Sequence, residues 1–521
     1  MTTLNSLGRT LAVHLSAARR RHDELVRGRQ KDEKINIVGA GGALTAAYEQ
    51  LRNAAENTEE HLLLQNAIRR FYKQLFIMRD EGVVRASGNE LAVELTLAGY
   101  IANDTLVKDQ VERISRMAMQ HYDAYERMLS QKDVSADKAF SWILSTLAVS
   151  VESIISDHGR DKVFVDFAYT YLAALIPQEN VPGVSDANDY GAILFGAIHK
   201  ALLKSDLAVI RTQLLERYGV HVSATDQYIQ INRHLDDLLD SSAADKVFHI
   251  VDRQGAPLRI IRRMIEERED FERLLEKRET FLEEFEQQVT KEYGRISGRI
   301  NRAIVRSVVF LVFTKFLIGI AIEVPYDLWA HGSIIWMPLI INLFFPPVYM
   351  VALRLTHTLP GYANTTALVD RVDTMLYGEK ITLMRRELAA KKYSAVFSIV
   401  YAVLSLAVFA AVVYVLLLFK FEWVHIIIFF VFLSAASFLG FRLSRLIREI
   451  EVVRSASNGL TVLRDLVYLP FVVVGRWMSD KYSKLNIVTI ILDMLIELPL
   501  KTILRLIRQW SAFIDDRKDR I

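Results

Sequence analysis

A chain of 521 residues, 51% of them hydrophobic and with a mean hydropathy of +0.18, is apolar for a soluble protein and long enough for about three domains. It contains no cysteine, which excludes disulfides, thiolate zinc sites, iron–sulfur clusters and cysteine nucleophiles together. The net charge of +3 offers no case for nucleic acid as a partner.

The opening segment, MTTLNSLGRTLAVHLSAARRRHDE, has an apolar stretch too short and too polar for a secretory signal, with Arg19, Arg20 and Arg21 on the wrong side of it. The N-terminal region is therefore expected in the cytoplasm. INIVGAGGALTAAYEQLR, from Ile35, resembles a dinucleotide-binding turn, but its third glycine position is Leu44. No second strand with an acidic ribose ligand follows at the roughly 20-residue distance such a unit needs. The glycines are read as a flexible entry to a helix beginning near Ala43. From there to Gln178 apolar residues recur every three or four positions, as in LLLQNAIRRFYKQLFIM, which predicts a helical cytoplasmic domain over 1–178.

Proline is absent until Pro177, where PQENVPGVSDANDYG marks a boundary. A small, mostly helical subdomain is expected over 190–255, with YGVHVSATDQYIQI a candidate hairpin inside it. Over 257–306, Phe281, Phe285, Val289, Tyr293, Ile296, Ile300 and Ile304 form one apolar stripe among dense charge, the pattern of a helical stalk or short coiled coil.

Four apolar segments within 307–442 approach the roughly 20 residues needed to span a bilayer: 307–324, 334–353, 394–419 and 424–441. They predict four transmembrane helices in two hairpins. Arg295, Arg299, Arg302 and Arg306 precede the first, Arg354 to Lys392 separate the hairpins, and Arg442, Arg445, Arg448 and Arg454 follow the last. The two remaining connections carry one lysine, Lys420, so the positive-inside rule puts both termini in the cytoplasm and the chain in a plasma or inner membrane. Trp329, Trp336 and Trp423 fall at the opposite, outer face.

Lys315 lies near the middle of the first span, where an ammonium is costly without a partner. Glu323 and Asp327 stand about 12 and 18 Å further along a straight helix, so carbonyls of the second span are the expected acceptors. That span carries Pro338, Asn342, Pro346 and Pro347, and each proline is expected to free a carbonyl. These five residues form the candidate intramembrane polar site. The tail, 463–521, reads as amphipathic helices on the membrane surface, where Lys501, Arg505 and Arg508 form a basic face suited to anionic inner-leaflet lipids.

No nucleotide, nucleophile-elbow, kinase or metalloprotease motif occurs, so neither a reaction nor a cofactor is expected. The preferred reading is a membrane-anchored scaffold in the lipid bilayer that presents its helical domain to a cytoplasmic protein partner. The alternative is a small channel or transporter with a path near Lys315. Four spans make a small core for that role unless the chain forms a homo-oligomer.

Overall fold

The computed structural model describes residues 4–37, 46, 49–50, 52–53, 62–131, 134–356, 359–378, 395–453, 459–485 and 510. Lys501, Arg505 and Arg508 lie outside the described residues, as do Gly39, Gly41 and Leu44 of the glycine-rich turn. Among the described residues the fold is all-helical, as the periodicity predicts. Ile35 is tied to Leu106 by one backbone hydrogen bond, but only an isolated bridge, Lys34 to Val107, forms there.

The chain divides into two compact units: Met1–Asp252 with Ile265–Glu276, and Arg253–Met264 with Lys277–Asn486. The first contains α1 (Ser6–Lys31), α2 (Leu63–Met78), α3 (Glu81–Arg85), α4 (Ser87–Leu97), α5 (Lys108–Ser130), α6 (Ala136–Ile155) and α7 (Gly159–Leu175). It continues through α8 (Ala187–Ile198), α9 (Leu207–Arg217), α10 (Thr225–Leu239) and α11 (Ser242–Gln254).

Helix α6 is the axis of this unit. It is apolar on nearly every face because α2, α5 and α9 all pack against it. Trp142, Ile143, Leu147 and Val151 are buried there, each such side chain contributing about 1.5–3 kcal/mol. One polar crossing pins the core: the hydroxyls of Thr146 and Tyr228 lie 2.9 Å apart, joining α6 to α10. Helices on both sides of Pro177 belong to this one compact unit, with α9 packed on α6 and α10 on α5. The segment read as a candidate hairpin forms no strand: 218–224 is a turn, and from Thr225 onward it is the first half of α10. Its buried residues Thr225, Tyr228, Ile229, Asn232 and Leu235 recur at the three- and four-residue spacing of a helix.

His121 on α5 is buried, its Nδ1 2.9 Å from the Met117 carbonyl, and burial pushes its pKa down to about 4. The unfolded chain takes up that proton near 6.5, so this group leaves stability untouched above that value and erodes it as pH falls from 6.5 towards 4. We expect the first unit to lose roughly 3 kcal/mol over that window. His121→Leu should remove most of this slope in urea midpoints measured at several pH values.

The second unit begins with part of α12 (Ala256–Glu267); α13 (Phe271–Leu274) belongs to the first. The long helix α14 (Arg278–Ile318) starts some twenty residues later than the predicted stalk, because two short helices precede it. Its stripe is not solvated: Phe281, Phe285, Val289 and Ile300 are buried, and α17 (Tyr362–Tyr377) packs along α14. Arg278 grips Asp373 with two bonds of 2.6 and 2.7 Å. Asn364 donates to the Tyr293 hydroxyl at 2.8 Å and to the Ile450 carbonyl at 2.9 Å.

Beyond Ile318 the helix continues as a π turn, Gly319–Glu323, into α15 (Val324–His331). Then come α16 (Trp336–Thr356), α17, α18 (Ala395–Leu418), α19 (Trp423–Arg448) and α20 (Gly459–Leu485). Among the described residues five helical stretches are long and apolar enough to cross a membrane: the four predicted from the sequence and α6. They differ in surroundings. In its most apolar window α6 is 61% buried, whereas α18 is 6% buried and lines its surface with Val396, Phe397, Ile399, Val403 and Leu406.

The two predicted hairpins pack into one another. α14, α16 and α19 surround one another, while α18 lies against α20. The segment assigned to the membrane surface from Leu463 also differs. Tyr468 lies near Phe441, and Phe471 near Phe430, so α20 runs antiparallel along α19. Gly475 permits this approach, because a Cβ there would stand 2.2 Å from the Ser434 carbonyl oxygen.

Candidate functional site

The polar site sits where α14, the π turn, α15, α16 and α19 meet. Lys315 is 2% exposed, and its Nζ lies 2.5 Å from Glu323 Oε1. This overturns the expectation that carbonyls of the second span would bind it. A straight helix turns the eighth residue about 80° away from the first, but a π turn absorbs one extra residue. Glu323 thus occupies the place of a seventh residue, two turns on and on the same face, and the two long side chains meet along the axis. The Phe432 ring, 5.1 Å from Lys315 Nζ, adds a cation–π contact.

Asn342 on α16 donates to Glu323 Oε1 at 2.8 Å and to the His425 carbonyl at 3.3 Å, so one amide links three helical segments. Of the predicted site residues, Lys315 and Asn342 are brought together, through Glu323. Pro338 falls in the first turn of α16, where a missing N–H costs nothing. Pro346 and Pro347 are buried within a helix that continues past them.

Two further members come from positions that helical spacing alone does not single out. Asp327, one turn after Glu323, accepts the Ile335 N–H at 3.0 Å through Oδ2, which joins α15 to the start of α16. Its Oδ1 lies 3.3 Å from Nε2 of His425 on α19, outside hydrogen-bonding geometry, and both residues are wholly buried. Neither ring nitrogen of His425 has a hydrogen-bond partner, nor do Glu323 Oε2 and Asn342 Oδ1. Sequence clues existed: an intramembrane lysine calls for a carboxylate, and VHIIIFFVF holds a lone histidine in an apolar run.

At the tryptophan end the cluster meets a more exposed network. Glu422 accepts from the Tyr326 hydroxyl at 2.7 Å and lies 2.7 Å from His331 Nε2. The Tyr326 hydrogen bond, seconded by His331, holds the Glu422 carboxyl below its usual range. That link is therefore intact at neutral pH and loosens only as pH falls through the lowered value. Tyr326 stands between the layers, its ring 6.4 Å from His331 and 6.0 Å from His425.

A second candidate lies in the first unit, a cavity of 520 Å³ between α8, α9, α10 and α11. Ile193, Leu239 and Phe248 give it apolar walls, while Lys200, Asp240 and Asp245 provide charge. Its size suits a small molecule or an inserted side chain. Among the described residues no group of three histidines or carboxylates is placed to hold a metal ion. No family model matches this chain, and no curated protein or solved structure is similar to it.

Proposed function

We propose that the chain is a multi-pass anchor of a plasma or inner membrane, which holds its first, helical unit on the cytoplasmic side for a protein partner. The observation that carries this reading is the state of Lys315, which is enclosed by protein and neutralised by Glu323 rather than set in an open passage. Supporting it, the first unit has a complete core and a cavity of its own, as a recruiting domain would need. The exposed apolar side chains of α14, α16 and α18 supply a surface for lipid. The arginine distribution supports four spans with both termini inside, and the exposed rings of Trp329, Trp336 and Trp423 suit the outer interface. The basic tail would add contact with anionic lipids of the inner leaflet.

The second reading, an oligomeric channel or transporter, draws its support from the buried polar atoms around Asp327 and His425 that lack partners.

Orientation is directly testable because the natural chain has no cysteine to interfere. Cysteine at Ala330, on an exposed position of α15, should react with an impermeant maleimide in intact cells. Cysteine at Asp370, on an exposed position of α17, should react only after permeabilisation. The reverse pattern would place the helical unit outside and end the proposal.

A further inference from the structure

Charge within the buried cluster does not balance if His425 is neutral. Lys315 is matched by Glu323, and Asp327 remains as a buried carboxylate with no cation of its own. An uncompensated charge in an apolar interior is expensive, and the usual outcome is that a proton or counterion removes it. The nearest basic atom is Nε2 of His425, 3.3 Å away on a different helix. Without an added proton, that imidazole presents one N–H and one bare nitrogen, and neither is hydrogen-bonded.

We propose that the Asp327–His425 pair is a proton-binding site, loaded from the tryptophan end of the bundle by way of His331 and Glu422. This goes beyond the anchoring role and does not depend on it. One proton passes from hydronium to the bare imidazole nitrogen: an O–H bond breaks, an N–H bond forms and water is left behind, and the imidazolium then neutralises the carboxylate across the α15–α19 contact. The facing groups favour this loading. On α15 stand Asp327, Tyr326 and His331. Glu422 precedes α19, Glu323 lies in the π turn, Lys315 on α14 is held by Glu323, and Asn342 on α16 is the uncharged link. The carboxylates nearest the imidazole favour its charged form, and the cluster's lysine, Lys315, is already paired with Glu323.

His331 and Glu422 supply the entry. Their side chains are 32% and 34% exposed and hydrogen-bonded together, and Tyr326 lies between them and His425. A metal ion is a poorer occupant, since no three ligands converge among the described residues.

The test uses full-length protein in lipid nanodiscs with ¹⁵N-labelled histidine, the His425 signal being assigned by its loss in His425→Gln. At about pH 7 we expect the nitrogen shifts of an imidazolium at His425. In Asp327→Asn the same residue should give the shifts of a neutral imidazole at that pH. A neutral imidazole in the wild type down to about pH 5 would overturn the proposal, and needs no variant to be read. An imidazolium that persists unchanged in Asp327→Asn would overturn it equally.

Discussion

Lys315→Met is expected to destabilise the membrane unit by about 3–5 kcal/mol, the usual cost of removing one partner from a buried ion pair. Methionine replaces most of the apolar stem, so little of the loss comes from packing. What remains is the Glu323 carboxylate in a low-dielectric site, with Asn342 as its one hydrogen-bond donor. Glu323→Gln in the same background should recover most of the stability, because the amide oxygen still accepts from Asn342 and no charge is stranded. Unfolding midpoints in mixed micelles for the two single variants and the double variant form a cycle that reads this coupling. Equal losses in the double and single variants would show that the pair is not the source.

The second large effect is expected at Gly475, where α20 lies closest to α19. Any side chain there places a Cβ 2.2 Å from the Ser434 carbonyl oxygen and 2.7 Å from Phe438 Cβ. The first is backbone within a helix and cannot swing aside, so the helices must separate. Gly475→Ala should then cost about 3 kcal/mol, the upper part of the range for overpacking. It should also expose α20 to protease at rates the wild type does not show. Val473→Ala, on the exposed side of the same helix, is the matched control and should do neither.

These two sites differ in how far the sequence revealed them. Helical periodicity sufficed for the all-helical class and for the apolar stripe of Phe281, Phe285 and Val289, because those signals depend on spacing within one element. Spacing also drew attention to Lys315 and Asn342. It failed on the partner of Lys315, since the arithmetic of a straight helix does not foresee the π turn that brings Glu323 round. His425 was hidden for a different reason. Its role arises from Asp327, 98 residues earlier in the chain, and such pairings have no local signature. The same holds for α20: Pro470, Gly475 and scattered charges weaken its apolar pattern, and only the antiparallel contact with α19 gives Gly475 its meaning.

In the proposed function the membrane helices anchor a cytoplasmic unit, and the buried cluster binds its proton in place instead of passing it across. Purified wild-type protein in liposomes that enclose a pH-sensitive dye, with a potassium–valinomycin potential imposed, tests this most directly. The account predicts proton entry no faster than in protein-free vesicles. Entry that scales with the amount of protein and disappears in Asp327→Asn would contradict it and make the chain a proton pathway.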